Sequence, residues 1–135
     1  MRERWIQVFT VLAGVWILAG CSLVQTESVK LKDLEYVALS ESVVPQEIME
    51  LIREKQGEPF RFTFRDRENL YICIGYGAKD KGGYRIAVDE LYLTETSVCV
   101  QTTLLGPKDG EMTEEGGNPV IVIRTENTDK QVIYK

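Results

Sequence analysis

A small, mainly β domain, a β-rich α+β body built as an antiparallel sandwich or open barrel with one N-terminal amphipathic helix, is what three features of the chain predict. Phe60, Phe62 and Phe64 alternate with Arg61, Thr63 and Arg65, the period of two that places one side of a strand against a core. Five later runs, 70–76, 84–93, 97–105, 119–124 and 131–134, are rich in β-branched and aromatic residues and separated by Gly, Pro, Asp and Asn clusters. Helical spacing stands out in one stretch alone, residues 45–56.

The start of the chain differs from the rest. Arg2 and Arg4 precede an apolar run from Trp5 to Ala19, broken only by Gln7, Thr10 and Gly14. That is shorter than the ~20 residues of a bilayer span and has the layout of an export signal. It ends in Leu18-Ala19-Gly20-Cys21, which resembles the bacterial lipobox. Residues 1–20 thus read as a lipoprotein signal peptide, with Cys21 as the lipidated residue. The expected location is the extracytoplasmic face of a bacterial cell membrane, reached through the lipid on Cys21.

Residues 21–33 are polar and weakly patterned, as expected of a tether, and residues 34–135 are expected to form a single domain. Leu34 to Leu39 alternates weakly and reads as a first strand. In the helix, Pro45 suits the first helical position, Glu47 sits at the positive end of the dipole and Gly57 provides a left-handed stop. Ile48, Leu51 and Ile52 make one narrow apolar stripe, suited to lying across a sheet.

After the strand at residues 60–65, Asp66 to Asn69 form a polar turn. Leu70–Tyr76 and Tyr84–Leu93 then read as a long hairpin around a glycine-rich tip, Gly77 to Gly83, with Asp89-Glu90 interrupting its second arm. Ser97–Leu105 ends at Gly106-Pro107, and residues 107–118 form a surface loop. The runs 119–124 and 131–134 read as a closing hairpin.

Composition narrows the function. The 135 residues contain no histidine, which removes imidazole acids, bases and metal ligands and both Ser-His and Cys-His nucleophile pairs. Asp89-Glu90 and Glu114-Glu115 are the remaining carboxylate pairs; strand neighbours point to opposite faces and the second pair sits in a loop, so both read as solvated. Catalytic residues, metal sites and cofactors are therefore expected to be none. Without residues 1–20 the chain carries 14 basic against 20 acidic side chains, a net charge of −6. That balance disfavours nucleic acid. Cys73 and Cys99 lie inside strand-like runs. Buried reduced thiols are the simpler reading, with a Cys73–Cys99 disulfide open to an exported protein if the strands adjoin.

The segments Tyr76-Gly77, Lys81-Gly82-Gly83-Tyr84-Arg85-Ile86, Leu104-Leu105-Gly106-Pro107 and Asn118-Pro119-Val120-Ile121-Val122-Ile123 resemble the C-terminal domain of the PrcB family of protease-complex subunits, over residues of about 60–134. That domain typically carries threonine where Lys81 stands and an aromatic where Val120 stands. The resemblance implies a non-enzymatic accessory subunit that binds a protein partner, a protease in that family. The short Gly-Tyr loop is also similar to chagasin-type protease inhibitors. An inhibitor of that kind and a structural lipoprotein of the cell envelope are the alternatives. Lys79, Lys81, Gly82, Gly83 and Tyr84 at the tip, together with Asn118 and Pro119, are the candidate partner-binding residues. Tyr84 offers an amphipathic ring and the glycines expose backbone amides, although turn geometry alone also accounts for glycines here.

Overall fold

The computed structural model describes residues 29–55 and 57–135. The leader, Cys21, the first part of the spacer and Gln56 at the expected helix end lie outside the described residues.

Among the described residues, eight strands form two four-stranded sheets. The strands are β1 (Lys32–Asp33), β2 (Tyr36–Ala38), β3 (Pro59–Arg65), β4 (Asn69–Tyr76), β5 (Arg85–Leu93), β6 (Ser97–Leu105), β7 (Val120–Glu126) and β8 (Gln131–Tyr134), accompanied among the described residues by a 3-10 turn at Glu41–Val43 and an α-helix, α1 (Gln46–Glu54). The first sheet has the order β1-β5-β6-β8 and the second β2-β7-β4-β3. Neither sheet closes on itself, so the fold is a sandwich and not a barrel.

The core is organised by β4. Leu70 to Gly75 are all buried, because this strand is covered on both faces. Leu70, Ile72 and Ile74 point between the sheets with Ile123, Leu91, Val98 and Val100. Tyr71 and Cys73 point the other way, toward Ile48 and Ile52 of α1 and Phe60 of β3. A continuous apolar run in the centre of a sheet has this cause. Each fully buried aliphatic chain here contributes ~1.5–3 kcal/mol. The order of layers is therefore helix, second sheet, first sheet.

The helix starts one residue later than expected. Pro45 is its N-cap, with extended backbone, and its carbonyl accepts the amides of Ile48 at 3.0 Å and Met49 at 3.1 Å. The helix ends at Glu54, and Gly57, with φ +93°, reverses the chain. Of the expected stripe, Ile48 and Ile52 are buried and Leu51 is only partly covered.

Two turns are closed by side-chain acceptors, the first of them at the expected polar turn. Asp66 closes the β3–β4 hairpin: its carboxylate accepts the amides of Glu68 at 2.9 Å and Asn69 at 2.7 Å. Thr94 closes β5–β6 in the same manner, with Oγ1 accepting the Ser97 amide at 3.0 Å. The Asp89 interruption is a β-bulge, since the pairing runs Val88 with Thr102 and then Glu90 with Gln101.

Three expectations about pairing are corrected. Residues 70–93 are not a hairpin: β4 and β5 lie in different sheets, because both edges of β4 are taken by β3 and β7. The last two strands are not a hairpin either. β8 crosses to the first sheet and runs parallel to β6, with Val132 and Tyr134 opposite Val98 and Val100. The sheet also begins inside the expected tether, where Lys32 and Asp33 pair with Leu93 and Tyr92. The chain then steps across the sandwich, so that Tyr36 to Ala38 pair with β7 in the second sheet.

Arg61 and Arg65 are exposed and Thr63 is partly covered, as the alternation suggests, but the three do not lie on the outer face of the sheet. They pair with Ile74, Ile72 and Leu70 and so share the face that looks toward the first sheet, at its open edge. Arg65 donates to the carbonyls of Thr128 at 3.0 Å and Lys130 at 2.6 Å, and the Arg61 guanidinium lies 5.6 Å from the centre of the Tyr134 ring.

Candidate functional site

The connection between β4 and β5 crosses from one sheet to the other, and the loop between β6 and β7 crosses back beside it. The two segments are zipped together. Lys79 donates its amide to the Gly117 carbonyl at 2.7 Å and accepts the Gly117 amide at 3.0 Å, and Gly82 donates to the Thr113 carbonyl at 3.1 Å. The Tyr76 amide reaches the Pro119 carbonyl at 3.1 Å, and Lys81 pairs with the Glu114 carboxylate. The tip residues and Asn118-Pro119, far apart in sequence, thus belong to one end of the sandwich.

The glycines have a geometric reason. A Cβ on Gly82 would meet Thr113 Oγ1 at 2.2 Å, and one on Gly116 would meet the Lys79 carbonyl oxygen at 2.8 Å. Gly83 has φ +96°, and a Cβ there would meet the Glu111 carbonyl oxygen at 2.6 Å. Gly82 is buried with its amide already bonded, which corrects the expectation that this amide is displayed to a partner. Lys79, Lys81, Gly83, Tyr84 and Pro119 are half-buried, and Tyr84 precedes β5 instead of lying in it. Met112, 58% exposed, is the prominent apolar side chain of this end. Asn118 Oδ1 is buried without a hydrogen-bond partner among the described residues. It borders a pocket of about 380 Å³ between α1 and β7, walled by Met49, Ile52 and Val120.

A larger cleft, of about 600 Å³, escaped the sequence reading. It lies at the open edge where β3 and β8 face each other, and Arg61, Tyr76, Thr102, Tyr134 and Lys135 line it. Tyr76 Oη and Thr102 Oγ1 are hydrogen-bonded at 2.6 Å, joining the two sheets. Burial, followed by the nearby Cys73 thiol, pushes the Tyr134 phenol up to about 12, against the opposing effect of Arg61 and Arg65. The available signal was the arginines at alternate positions of β3, which the strand period assigned to solvent.

Cys73 and Cys99 are both free and buried. Cys73 faces α1 from the second sheet, while Cys99 alternates with the inward-facing Val98 and Val100 of the first sheet and points away from the core. The sandwich separates them, so the bridge left open by the sequence does not form. Desolvation pushes the Cys73 thiol up to about 12. Among the described residues no group of three or more His, Cys, Asp or Glu side chains gathers as a metal-binding set would. Glu114 is held by Lys81, and the Asp89 carboxylate accepts the Thr103 hydroxyl.

The fold and this end define a two-sheet β domain with crossing loops zipped into one surface. Residues 70–126, from the start of the central strand to the end of its β7 neighbour, match the family model described as PrcB C-terminal. That match agrees with the motif resemblance over the same stretch. No curated protein and no solved structure matches the chain significantly.

Proposed function

We propose that this chain is a lipid-anchored, extracytoplasmic and non-enzymatic protein-binding module, the accessory subunit of a surface protease complex. The observation that carries the proposal is the PrcB C-terminal match over residues 70–126, which includes both crossing loops. The geometry supports it in one respect. A surface whose two segments are already tied by backbone hydrogen bonds loses little further entropy when it is bound. Lipid on Cys21 would hold the domain at the membrane, with Tyr84 and Met112 as apolar contacts and Lys79 and Lys81 beside them.

The test is co-purification of the full chain from detergent-solubilised membranes, with Tyr84→Ala as the control. A protease that is captured by the native chain and lost with the variant, at unchanged melting temperature, supports the proposal. Capture of no protease, or equal capture by both, overturns it. Assaying the captured protease separates subunit from inhibitor, because an inhibitor lowers its activity and an accessory subunit raises its yield. Incorporation of a fatty-acid analogue, abolished by Cys21→Ser, tests the anchor.

A further inference from the structure

The cleft at the β3/β8 edge is distinct from the zipped loops and has its own chemistry. One cationic side chain, Arg61, faces it and no acidic side chain lines it, in a chain whose net charge is −5, while the Lys135 ammonium lies 5.5 Å from the centre of the Tyr92 ring on the far side of the first sheet. Among the described residues no carboxylate lies within ion-pairing distance of Arg61. The guanidinium is held over the Tyr134 ring, which fixes its position without consuming its N–H donors. Tyr134 Oη is buried without a hydrogen-bond partner among the described residues. Its raised pKa keeps it a protonated donor at neutral pH. Tyr76 and Thr102 share one hydrogen bond between two hydroxyls, so one further O–H remains to be given. Ile74 and Val100, both core residues, supply the apolar wall.

The position of the cleft also selects the kind of molecule. Among the described residues β3 pairs with β4 alone, so along its seven residues one row of backbone N–H and C=O groups has no strand partner there. An extended polypeptide can add to such an edge, with main-chain hydrogen bonds giving affinity and an adjoining pocket giving specificity.

We propose that this cleft is a carboxylate-binding subsite, filled by an acidic group on an extended polypeptide segment that pairs with β3. Arg61 neutralises the carboxylate, the Tyr134 hydroxyl donates to it, and Ile74 and Val100 pack the carbon beside it. The identification of that polypeptide with a protein partner rests on the function proposed above; the subsite chemistry does not.

Three fluorescein-labelled hexapeptides test it on the full chain in detergent: Val-Thr-Val-Thr-Val-Phe as free acid, the same peptide as C-terminal amide, and an amide in which Glu replaces the final Phe. Fluorescence anisotropy is expected to show both carboxylate peptides binding at least tenfold tighter than the Phe amide. Arg61→Gln and Tyr134→Phe are expected to remove that advantage while the melting temperature stays within a few degrees of native. Hydrogen exchange should slow at β3 backbone amides when peptide is bound. Equal affinity for acid and amide, no binding below millimolar concentration, or indifference to Arg61→Gln overturns the subsite. Competition by 3-phenylpropionate at the same affinity as the peptides, with no added protection in β3, overturns strand pairing and makes the source a small free acid. Peptide binding that persists when no protease co-purifies sinks the subunit reading and leaves the subsite standing. Protease capture unaffected by Arg61→Gln alongside failed peptide binding does the reverse.

Discussion

Gly82 and Thr113 form the tightest meeting point of the two crossing loops: the Gly82 amide donates to the Thr113 carbonyl at 3.1 Å, and a methyl group on Gly82 would stand 2.2 Å from Thr113 Oγ1. Thr113 cannot simply swing away, because its hydroxyl donates to the Glu115 carbonyl at 3.1 Å.

Gly82→Ala is therefore expected to destabilise the fold by ~1–3 kcal/mol, the usual cost of overpacking a tight site. In a Thr113→Ala background the same change should cost less than half as much, since the clashing hydroxyl is gone. Thermal denaturation of the four proteins of this cycle measures both values, and an undiminished penalty in the double variant would show that the Glu115 carbonyl, 3.1 Å from the added methyl, is the true obstacle.

Ile48, with no exposed surface, joins α1 to the second sheet. Ile48→Ala should cost ~2–5 kcal/mol, whereas Leu51→Ala, on the partly covered flank of the same helix, should cost clearly less. Chemical denaturation with an unchanged m-value is the measurement, and equal costs at the two positions would contradict the packing of the helix.

The Asp66 carboxyl lies below its ordinary value of 3.8 because the amides of Asn69 and then Glu68 donate to it. A depressed carboxyl contributes stability above its unfolded pKa and loses it as pH falls through the folded one. The melting temperature of the native chain should accordingly drop below about pH 4 more steeply than that of Asp66→Asn, whose side chain keeps the turn without titrating. Parallel melting curves from pH 6 to pH 2 would remove this assignment.

Cys73 and Cys99 are expected to resist alkylation while the protein is folded, because both are buried and the Cys73 thiol is far from ionising at neutral pH. In a Cys21→Ser chain, iodoacetamide should label neither before denaturation and both afterwards, without prior reductant. A mass deficit of two hydrogens before reduction would point to a bridge and contradict the opposed orientation of the two strands.

Local chemistry was legible in the amino-acid order. The Phe60 to Phe64 alternation, the Asp66 turn, the Asp89 interruption and the helix around Ile48 each follow from a few neighbouring residues, and each is present in the fold. Pairing was less legible. Leu70–Tyr76 and Tyr84–Leu93 look like hairpin arms, but nothing between them records that β7, some fifty residues later, will occupy the free edge of β4. The unbroken burial of β4 was a usable sign, since an edge arm of a two-strand hairpin has no reason to be apolar on both faces. The candidate loops were found through their glycines and family motifs. The cleft was missed because Arg61 obeys the strand period yet sits at an edge where both faces are used.

The zipped loop from Lys108 to Gly116 is exposed throughout, while the strands on either side of it are shared between opposite halves of the sandwich. A single peptide-bond cut there would leave a C-terminal fragment whose β7 is still clamped between β2 and β4 and whose β8 still borders β6. The nicked molecule should migrate as one particle under native conditions and as two pieces only in denaturant. If the function proposed above holds, keeping its shape after being nicked would let this body stand next to an enzyme that cleaves polypeptides.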